Sequence, residues 1–348
     1  MTPALRIISP GLSTTVQDLG RHGFQRMGVS VGGVLDPVAF RAANKLAGNP
    51  SNTGALEAVY CGPSFAINAD NARLAFAGTD ATIEILDSAD AERGDTIELM
   101  RSVCVRRGQI VRVGSIRHGA TVYIAVEGGF AIEPVLGSVA TDSRGQIGGW
   151  HGRALRENDV LPLCRLAATE RDEYRLDGLD FAAPRRIRVV LGPQNDRFSA
   201  DEIERFCTSE YIVSAGSNRM GMRLEGPALR HRDGYNIVSD AIATGSIQVP
   251  GNGQPLVLLA DHQTTGGYPK IATVISADLP AIGRLPVGSK ISFTAVTLEQ
   301  ATAARRELFA TLDAIDEKIV RLSPPPSAVA ARLCECNLIS GVCDAAAA

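Results

Sequence analysis

The chain alternates short apolar runs with clusters of glycine, proline, asparagine and aspartate, and this pattern predicts many short strands. The clearest runs are RLAFAG, ATIEIL, DTIELM, TVYIAVEGGF, RIRVVLG, EYIVS, SIQVP, PLVLLA, IATVIS and KISFTAV. Short strands without helices between them favour antiparallel sheets or barrels over a doubly wound parallel sheet. We therefore expect a mainly β fold.

Three segments have helical features instead. DPVAFRAANKLAGNP places Asp36 at the N-cap, Pro37 in the first turn and Gly48 just after the end. SADEIERFC has Ser199 as its N-cap, and the third segment starts near Thr297. Its apolar positions recur at spacings of three and four: Leu308, Leu312, Ile315, Ile319 and Leu322. These spacings predict one long helix over 297–322.

The length of 348 residues favours two domains. Charge density rises and strand patterning stops in ATERDEYRLDGLDFAAPRR, so we expect the boundary at about 168–186. The predicted organisation is a first domain over 1–170, a second over 186–296, the helix over 297–322 and a loose tail over 323–348. The tail follows SPPPS, which ends the helix.

Composition narrows the function classes. The net charge is −3 and the pI is about 6.0, which gives no support for nucleic acid as a partner. No apolar run approaches the ~20 residues of a membrane span, and the start lacks a signal-peptide pattern, so we expect a cytoplasmic protein. Cys334, Cys336 and Cys343 form a C-x-C cluster without a nearby histidine, a spacing that disfavours a zinc module and leaves its role open.

The stretch ADHQTTGGYPK, residues 260–270, carries more polar chemistry than a turn between two strands requires. Asp261 and His262 are candidates for acid and base, and Lys270 for binding an anion. If the preceding strand continued through them, alternation would place Asp261, Gln263 and Thr265 on one face and His262 on the other. The first three are the favoured set.

Four further polar, glycine-rich stretches add candidate ligand-binding residues: Gln17, Asp18 and Arg21 in 10–37, Asp142 and Arg144 in 135–159, Ser217, Asn218, Arg219 and Arg223 in 214–226, and Gln248 in 239–256. A loop that converges Arg219 and Arg223 on an acid is one expectation. The sequence contains no G-x-x-x-x-G-K-[ST], H-E-x-x-H, G-x-S-x-G or paired C-x-x-C motif, and its histidines lack metal-ligand spacing. We therefore predict no metal site.

Taken in order, GLSTTVQDLGRHGFQRMGVSVGGVLDPVAFRAANKLAGNP, ALEAVYCGPSF, SNRMGMRLEG and ADHQTTGGYPKIATVISADL are similar to the signature stretches of the KipA family. This family is also known as the biotin-dependent carboxyltransferase family, as allophanate hydrolase subunit 2 and as the C component of 5-oxoprolinase. The resemblance covers about residues 5–310. It implies two cyclophilin-like β-barrel domains with a ligand site in the cleft between them.

The resemblance also implies a function. The first expectation is the C component of an ATP-dependent 5-oxoprolinase, acting with a KipI-like B component and a LamB/YcsF-type A component. ATP, with or without Mg²⁺, would then be used by the complex. One alternative is carboxyl transfer to urea or a similar amide from biotin on a separate carrier, because the chain lacks an A-M-K-M motif. Another is a non-enzymatic regulator that binds a KipI-like kinase inhibitor.

Two positions depart from the family pattern. His262 stands where the family commonly has arginine, and Val139 stands where it often has arginine within GSRST. Both changes lie in candidate site stretches, so they bear on which anion or amide is bound.

Overall fold

A computed structural model describes residues 2–88, 91–182 and 184–322. The first region contains α1 (Pro37–Ala47) and the strands β1 (Ala4–Ser9), β2 (Ser13–Gln17), β3 (Ala55–Val59), β4 (Ser64–Ile67), β5 (Asn71–Gly78), β6 (Ala81–Leu86), β7 (Asp95–Ile97), β8 (Arg101–Arg106), β9 (Ile110–Ile116), β10 (Thr121–Val126), β11 (Val160–Pro162) and β12 (Tyr174–Leu176). The second contains α2 (Ala200–Thr208), α3 (Leu279–Gly283), β13 (Arg186–Leu191), β14 (Tyr211–Val213), β15 (Gly221–Glu225), β16 (Asp240–Ala241), β17 (Ser246–Gln248), β18 (Leu256–Leu258), β19 (Thr265–Gly266), β20 (Lys270–Val274) and β21 (Lys290–Ala295). They are followed by α4 (Leu298–Asp313) and β22 (Ile319–Arg321). The predicted mainly β fold is confirmed.

Two sheets form the first region. One has the strand order β11-β1-β4-β9-β6-β7, and the other has the order β2-β3-β10-β5-β8-β12-β22. Apolar side chains from both sheets form a common core, in which Phe65, Phe76 and Ile124 are almost completely buried. Strand β6, ATIEIL, alternates buried and more exposed positions, so burial of one face determines its register. Strands β3, β5 and β10 are buried on both faces, because α1 covers the second face of their sheet.

The second region is a closed barrel of seven strands in the order β13-β20-β17-β18-β15-β14-β21. All its neighbouring strands pair antiparallel except β13 and β21, which pair in parallel. Phe206 of α2 stacks on Phe293 of β21 with 4.6 Å between ring centroids, so α2 packs its buried aromatic side chain into the barrel core. The short pair β16-β19 lies outside the barrel sheet. The barrel strands fall within the predicted range 186–296.

The predicted caps of the first two helices are confirmed. Asp36 accepts hydrogen bonds from the backbone of Val38 and Ala39, and Gly48 ends α1 at a φ of 79°. That left-handed conformation costs little for glycine, which explains the stop. Ser199 caps α2 by accepting from the backbone of Glu202. The five-residue helix α3 has too few turns to produce a periodic signal in the sequence.

The predicted helix over 297–322 is too long. It begins after its N-cap Thr297 but ends at Asp313, where a 3₁₀ turn over Ala314–Lys318 follows. The chain then forms β22, which pairs with β12 in the first region. Leu312 and Ile315 are buried against α1 and its sheet, so the apolar spacing does mark a buried face although its last residues are not helical. The predicted loose tail and Cys334, Cys336 and Cys343 lie outside the described residues.

Hydrogen bonds and an ion pair join the two regions. The backbone of Gly32 donates to the Ala260 carbonyl at 3.1 Å, and that of Ala120 donates to the Arg284 carbonyl at 2.9 Å. Asp36 and Arg284 are 3.0 Å apart at the closest N–O approach, and both are buried. The segment before α1 therefore holds the amino-terminal region against the barrel. No helix within the described ranges is long and apolar enough to cross a membrane.

Candidate functional site

A polar cleft of about 410 Å³ lies where the two regions meet. Its lining residues are Gly28, Ser30, Asp142, Arg144 and Gly145 from the first region and Asp261, His262, Gln263, Thr264 and Thr265 from the second. Six of the predicted site residues are among them. Two distant parts of the sequence thus line one cleft, and a junction between domains is a common place for a ligand pocket.

The loop after β18 supplies the second half of this lining. Strand β18 ends at Leu258 and does not continue through Asp261 and His262. The alternation of faces considered for a continuing strand therefore does not apply to these residues. The two side chains nevertheless point to different partners. Asp261 binds Arg219, whereas His262 is buried against Thr244.

Arg219 binds Asp261, a lining residue of the cleft, although Arg219 itself lines a separate cavity. Its Nε and Nη2 donate to the two Asp261 oxygens at 2.8 and 3.0 Å, a bidentate arrangement. Its Nη1 donates to Glu57 of β3, and Nη2 also donates to the Gly33 carbonyl. One guanidinium group therefore links Asp261 to the first region. This fixes the direction in which the Asp261 carboxylate faces the cleft.

Glu57 is itself fixed from behind. Its side chain is completely buried, and its Oε2 accepts hydrogen bonds from the Tyr123 hydroxyl at 2.6 Å and the Leu35 backbone at 2.8 Å. The Tyr123 oxygen in turn accepts from the Asp36 backbone at 2.8 Å. The result is a continuous polar chain from α1 to the cleft. Buried polar networks of this kind stabilise a unique geometry when every member is bonded.

The pKa shifts of Arg219 and Tyr123 agree with this hydrogen-bond network. Burial alone would lower the pKa of Arg219, but the carboxylates of Glu57 and Asp261 outweigh it and raise that pKa above its ordinary value. Burial, with the nearby carboxylates of Glu57 and Asp36, raises the pKa of Tyr123 well above its ordinary value. The guanidinium therefore stays charged and the phenol stays neutral at physiological pH.

His262 is a poor candidate for moving a proton. Its ring is 1% exposed, with Nδ1 2.6 Å from the Gln263 carbonyl and Nε2 3.1 Å from the Thr244 hydroxyl. Burial lowers its pKa below the ordinary value, so the ring is neutral at pH 7. A neutral ring satisfies both contacts when Nδ1 donates and Nε2 accepts. The predicted acid and base pair of Asp261 and His262 is therefore not formed.

The first region contributes a turn built around Asp142. Its Oδ1 accepts from the backbone of Arg144 and Gly145 at 3.0 and 2.9 Å, and its Oδ2 accepts from the Ser30 hydroxyl at 2.8 Å. Both carboxylate oxygens of Asp142 are therefore used to hold this turn in place. The exposed side chain of Arg144 lies 3.6 Å from the sulfur of Met220. This contact joins the two regions beside the cleft.

Arg223 does not join Arg219. It lies on an outward position of β15, whereas Arg219 is mostly buried, so the expected convergence of two guanidinium groups is wrong. Ser217 and Asn218 line a different, mostly apolar cavity of about 250 Å³ on another side of Arg219. The Ser217 hydroxyl accepts from the Arg223 backbone at 3.0 Å, which shapes this turn.

Lys270 and Gln248 lie on neighbouring barrel strands and do not line the polar cleft. Lys270 is 1% exposed, and its ammonium group binds Asp240 at 3.0 Å. Gln194 donates to the same carboxylate at 3.1 Å. The expected anion-binding lysine is thus already paired with a carboxylate of its own domain.

Gln17 and Asp18 are buried behind the cleft and hold loops together. Asp18 accepts from the Ser138 hydroxyl at 2.6 Å and from the Val139 backbone at 2.8 Å. Gln17 donates to Thr15 and to the Thr141 carbonyl. Both therefore stabilise the 138–142 turn and do not contact a ligand in the cleft directly. Val139, the departure from the family pattern, packs in this turn near Gly54.

Glu57 and Tyr123 were not among the predicted site residues. The sequence did contain a signal for Glu57, because it is the one charged residue in the apolar strand ALEAV. An isolated carboxylate in a strand that is buried on both faces needs an internal partner. Tyr123 gave no such signal, since tyrosine is common in strands. Among the described residues, no group of three His, Cys, Asp or Glu side chains is placed to hold a metal ion.

Comparisons with known proteins agree with the resemblance. A family model described as "Carboxyltransferase domain, subdomain A and B" matches residues 27–295. The 5-oxoprolinase C component of Escherichia coli is 38% identical over 305 residues, which are 87% of this chain and 94% of the relative. The protein of the same name from Haemophilus influenzae is 37% identical over 311 residues, 87% of this chain and 96% of the relative.

Solved structures give the same result. The urea amidolyase of K. lactis is 29% identical with a TM-score of 0.79, and the match covers 94% of this chain but 21% of the amidolyase. This chain thus corresponds to one part of that larger protein. The chain belongs to the family of carboxyltransferase domains with subdomains A and B, which includes the C component of 5-oxoprolinase.

Proposed function

We propose that the chain is the C component of an ATP-dependent 5-oxoprolinase, which opens 5-oxo-L-proline to L-glutamate. The observation that carries this proposal is a match to relatives named as this component over 94% and 96% of their length. The geometry is compatible with it, because the cleft combines a carboxylate with neutral amide and hydroxyl groups. Such groups can bind the N–H and C=O of a lactam.

The residues of the cleft have distinct roles in this account. Asp261 accepts the lactam N–H, since each carboxylate oxygen has a second lone pair beside the one that Arg219 uses. Gln263 and Thr265 have no side-chain hydrogen bond in the described structure, so they are free to orient the lactam carbonyl. Water adds to that carbonyl, the C–N bond breaks, and the nitrogen takes up a proton.

The residues present do not fit a complete nucleotide site. The chain has no glycine-rich phosphate loop, and no cluster of metal ligands lies within the described ranges. We therefore assign ATP use, with or without Mg²⁺, to the assembled complex and derive no step through the nucleotide on this chain. A KipI-like B component and a LamB/YcsF-type A component are the proposed partners. The complex would act in the cytoplasm, where ATP is available.

Reconstitution tests the proposal. The purified chain is combined with the A and B components, and glutamate and ADP are measured with 5-oxo-L-proline present or omitted. We expect both products only when all three proteins, ATP and 5-oxo-L-proline are present. Absence of 5-oxo-L-proline-dependent ADP formation in the complete mixture would contradict the proposal.

A carboxyltransferase acting on urea is the second candidate. The similarity to the K. lactis urea amidolyase favours it, although this chain covers 21% of that protein. The reaction would need biotin on a separate carrier. Adding urea, a biotinylated carrier protein and a biotin carboxylase that charges the carrier from bicarbonate and ATP to the same mixture would then give a carboxylated urea. Binding of a KipI-like protein without turnover of either substrate would instead indicate the regulatory role.

A further inference from the structure

A second cavity lies at the joint between the two regions and is lined by Arg219. We name it the junction cavity, and its volume is about 250 Å³. Its floor is apolar, because it is lined by Met222 and Ile282, which are 3% and 0% exposed. Leu12 and Asn218 also line the cavity and are exposed, so they mark its opening to solvent. A small molecule can therefore reach the apolar floor from outside.

The walls of the junction cavity are held by hydrogen bonds between the two regions. The Tyr60 hydroxyl of the first region accepts a hydrogen bond from the Val287 backbone of the second at 3.1 Å. The Ala120 backbone donates to the Arg284 carbonyl at 2.9 Å, and both Tyr60 and Ala120 line the cavity. Because these bonds fix the distance between the walls, the cavity does not need a ligand to hold it open. Binding pockets for small molecules are usually preformed in this way.

The charges around the junction cavity favour an uncharged ligand. Arg219 is the one charged side chain among the described residues that line it, and its guanidinium already faces the carboxylates of Glu57 and Asp261. Arg21 does not help, because its side chain is 1% exposed, donates to the Ala140 carbonyl and lines neither the cavity nor the polar cleft. An anion would therefore meet no free cation. It would also lose its hydration against the apolar floor.

Two polar groups that line the junction cavity are available to orient a ligand. The Asn218 Oδ1 accepts from the Met220 backbone at 2.8 Å, which leaves Nδ2 without a hydrogen bond to any described residue. The Ser13 hydroxyl likewise has no hydrogen-bond partner in the described part of the chain. An amide N–H and a hydroxyl can both donate to one carbonyl oxygen, which has two lone pairs. The ligand should therefore carry a hydrogen-bond acceptor.

We propose that the junction cavity is an effector site for a neutral molecule that joins an apolar ring to a carbonyl group. An apolar cavity of about 150 Å³ is large enough for benzene, so about 250 Å³ accommodates a ring with a small substituent. The ring packs on Met222, and the carbonyl oxygen accepts from Asn218, with Ser13 as a second donor. Because Arg219 lines the cavity and also holds Asp261 in the polar cleft, an occupant affects that carboxylate.

Ligand-observed NMR of the full chain tests the binding. The probes are acetophenone, which has a ring and a neutral carbonyl group, and benzoate, which has a ring and a charge. We expect acetophenone to bind roughly 10-fold more tightly or better, because benzoate must lose its hydration. Ala120→Leu fills the cavity from its wall and should abolish acetophenone binding. Ala310→Leu, at an exposed position of α4, is the matched control and should retain it. Equal affinity for the two probes, or wild-type binding by Ala120→Leu, would overturn the proposal.

A second variant covers the case in which Ala120→Leu fails to fold. Asn218→Asp keeps the oxygen that accepts from the Met220 backbone and replaces the donor Nδ2 with a carboxylate oxygen. We expect acetophenone to bind about 10-fold more weakly, the effect of one lost hydrogen bond, and 1-phenylethanol, whose hydroxyl can donate to the new oxygen, to lose less. Asn252→Asp is the matched control, because the exposed Asn252 accepts from the Gln254 backbone in the same way. Equal losses for both probes in Asn218→Asp, or no loss for either, would contradict the proposal.

A change in the polar cleft tests the coupling. Asp261→Asn weakens one of the two carboxylate contacts that hold Arg219, so the guanidinium becomes a looser wall of the junction cavity. We expect acetophenone to bind about fivefold more weakly or worse, which is the lower end of typical coupling between sites. Asp70→Asn, which changes a surface ion pair with Arg107, should leave the affinity unchanged. Equal acetophenone affinity in Asp261→Asn and the wild type would reject the effector role. This measurement needs no turnover, so its outcome does not depend on whether the reconstituted complex opens 5-oxo-L-proline.

Discussion

Arg219 of the barrel region forms an ion pair with Glu57, a completely buried carboxylate of the amino-terminal region. The same guanidinium group holds Asp261 at the edge of the polar cleft. The joint between the two halves and the orientation of the candidate catalytic carboxylate therefore depend on one side chain. Stability and activity should be coupled at this point.

Replacing Glu57 tests that coupling. Glu57→Gln removes the charge that Arg219 faces and alters the hydrogen bonds to Tyr123 and Leu35. Arg219 keeps its ion pair with Asp261, but the charge-assisted hydrogen bonds that Glu57 accepts are weakened. We therefore expect a loss of about 2 kcal/mol in the free energy of unfolding, measured by urea denaturation. Glu84→Gln is the control, since its ion pair with Arg112 lies at the surface and should change stability by less than about 1 kcal/mol. Similar losses in both variants would contradict a special role for Glu57.

Gln263 offers a change that should affect binding alone. Its side chain lines the cleft without a hydrogen bond inside the described structure. Gln263→Leu should therefore leave the melting temperature unchanged and raise the KM for 5-oxo-L-proline by about 10-fold, the value of one lost hydrogen bond. Gln254→Leu is the control, because Gln254 bonds with Gly226 away from the cleft. An unchanged KM in Gln263→Leu would remove this residue from the site.

His262 should make stability sensitive to acid. Burial lowers its pKa in the folded state, so the unfolded chain binds the proton first as the pH falls below about 6.5. The stabilising effect of the neutral ring is complete above pH 6.5 and is lost as the pH falls from there towards the folded-state pKa. The free energy of unfolding should thus decline less between about pH 7.5 and about pH 5.5 in His262→Gln than in the wild type. His22→Gln, at an exposed position, should keep the wild-type slope. Equal slopes in His262→Gln and the wild type would argue against a buried neutral histidine.

Lys270 tests whether the barrel end contributes to the site. Its ammonium group is paired with Asp240 and does not line the cleft. Lys270→Met keeps an apolar stem of similar length, so we expect kcat and KM for 5-oxo-L-proline to change less than about threefold. A large rise in KM, with the melting temperature preserved, would show that a ligand reaches Lys270 and that the sequence-based assignment was right.

Local signals in the sequence identified most of the fold. The caps Asp36, Gly48 and Ser199 act through neighbours in the chain, so their positions follow from the sequence. The end of the last helix does not follow from the sequence, because the apolar residue Ile319 can be buried from a strand as well as from a helix. Pairing of β22 with β12, about 145 residues away, decides between them. That choice depends on tertiary contacts.

The site shows the same division. The stretch around Asp261 and Gln263 could be recognised from its surplus of polar residues. The partners of Arg219 could not be recognised in the same way, because Glu57 is 162 positions away in the sequence. Arg223, which the sequence suggested instead, is only four positions away. Sequence proximity suggested that the two arginines act together, but the strand that begins at Gly221 directs Arg223 outward. Long-range pairing of buried charges is set by the packing of the two regions.

The most direct test of the account is the activity of Asp261→Asn in the reconstituted complex. The account predicts that glutamate formation from 5-oxo-L-proline falls about 100-fold or more, because the carboxylate that orients the lactam is lost. Asp240→Asn, which changes an exposed carboxylate away from the cleft, should retain activity. Near wild-type turnover by a folded Asp261→Asn would contradict the central claim that the cleft between the two regions is the active site.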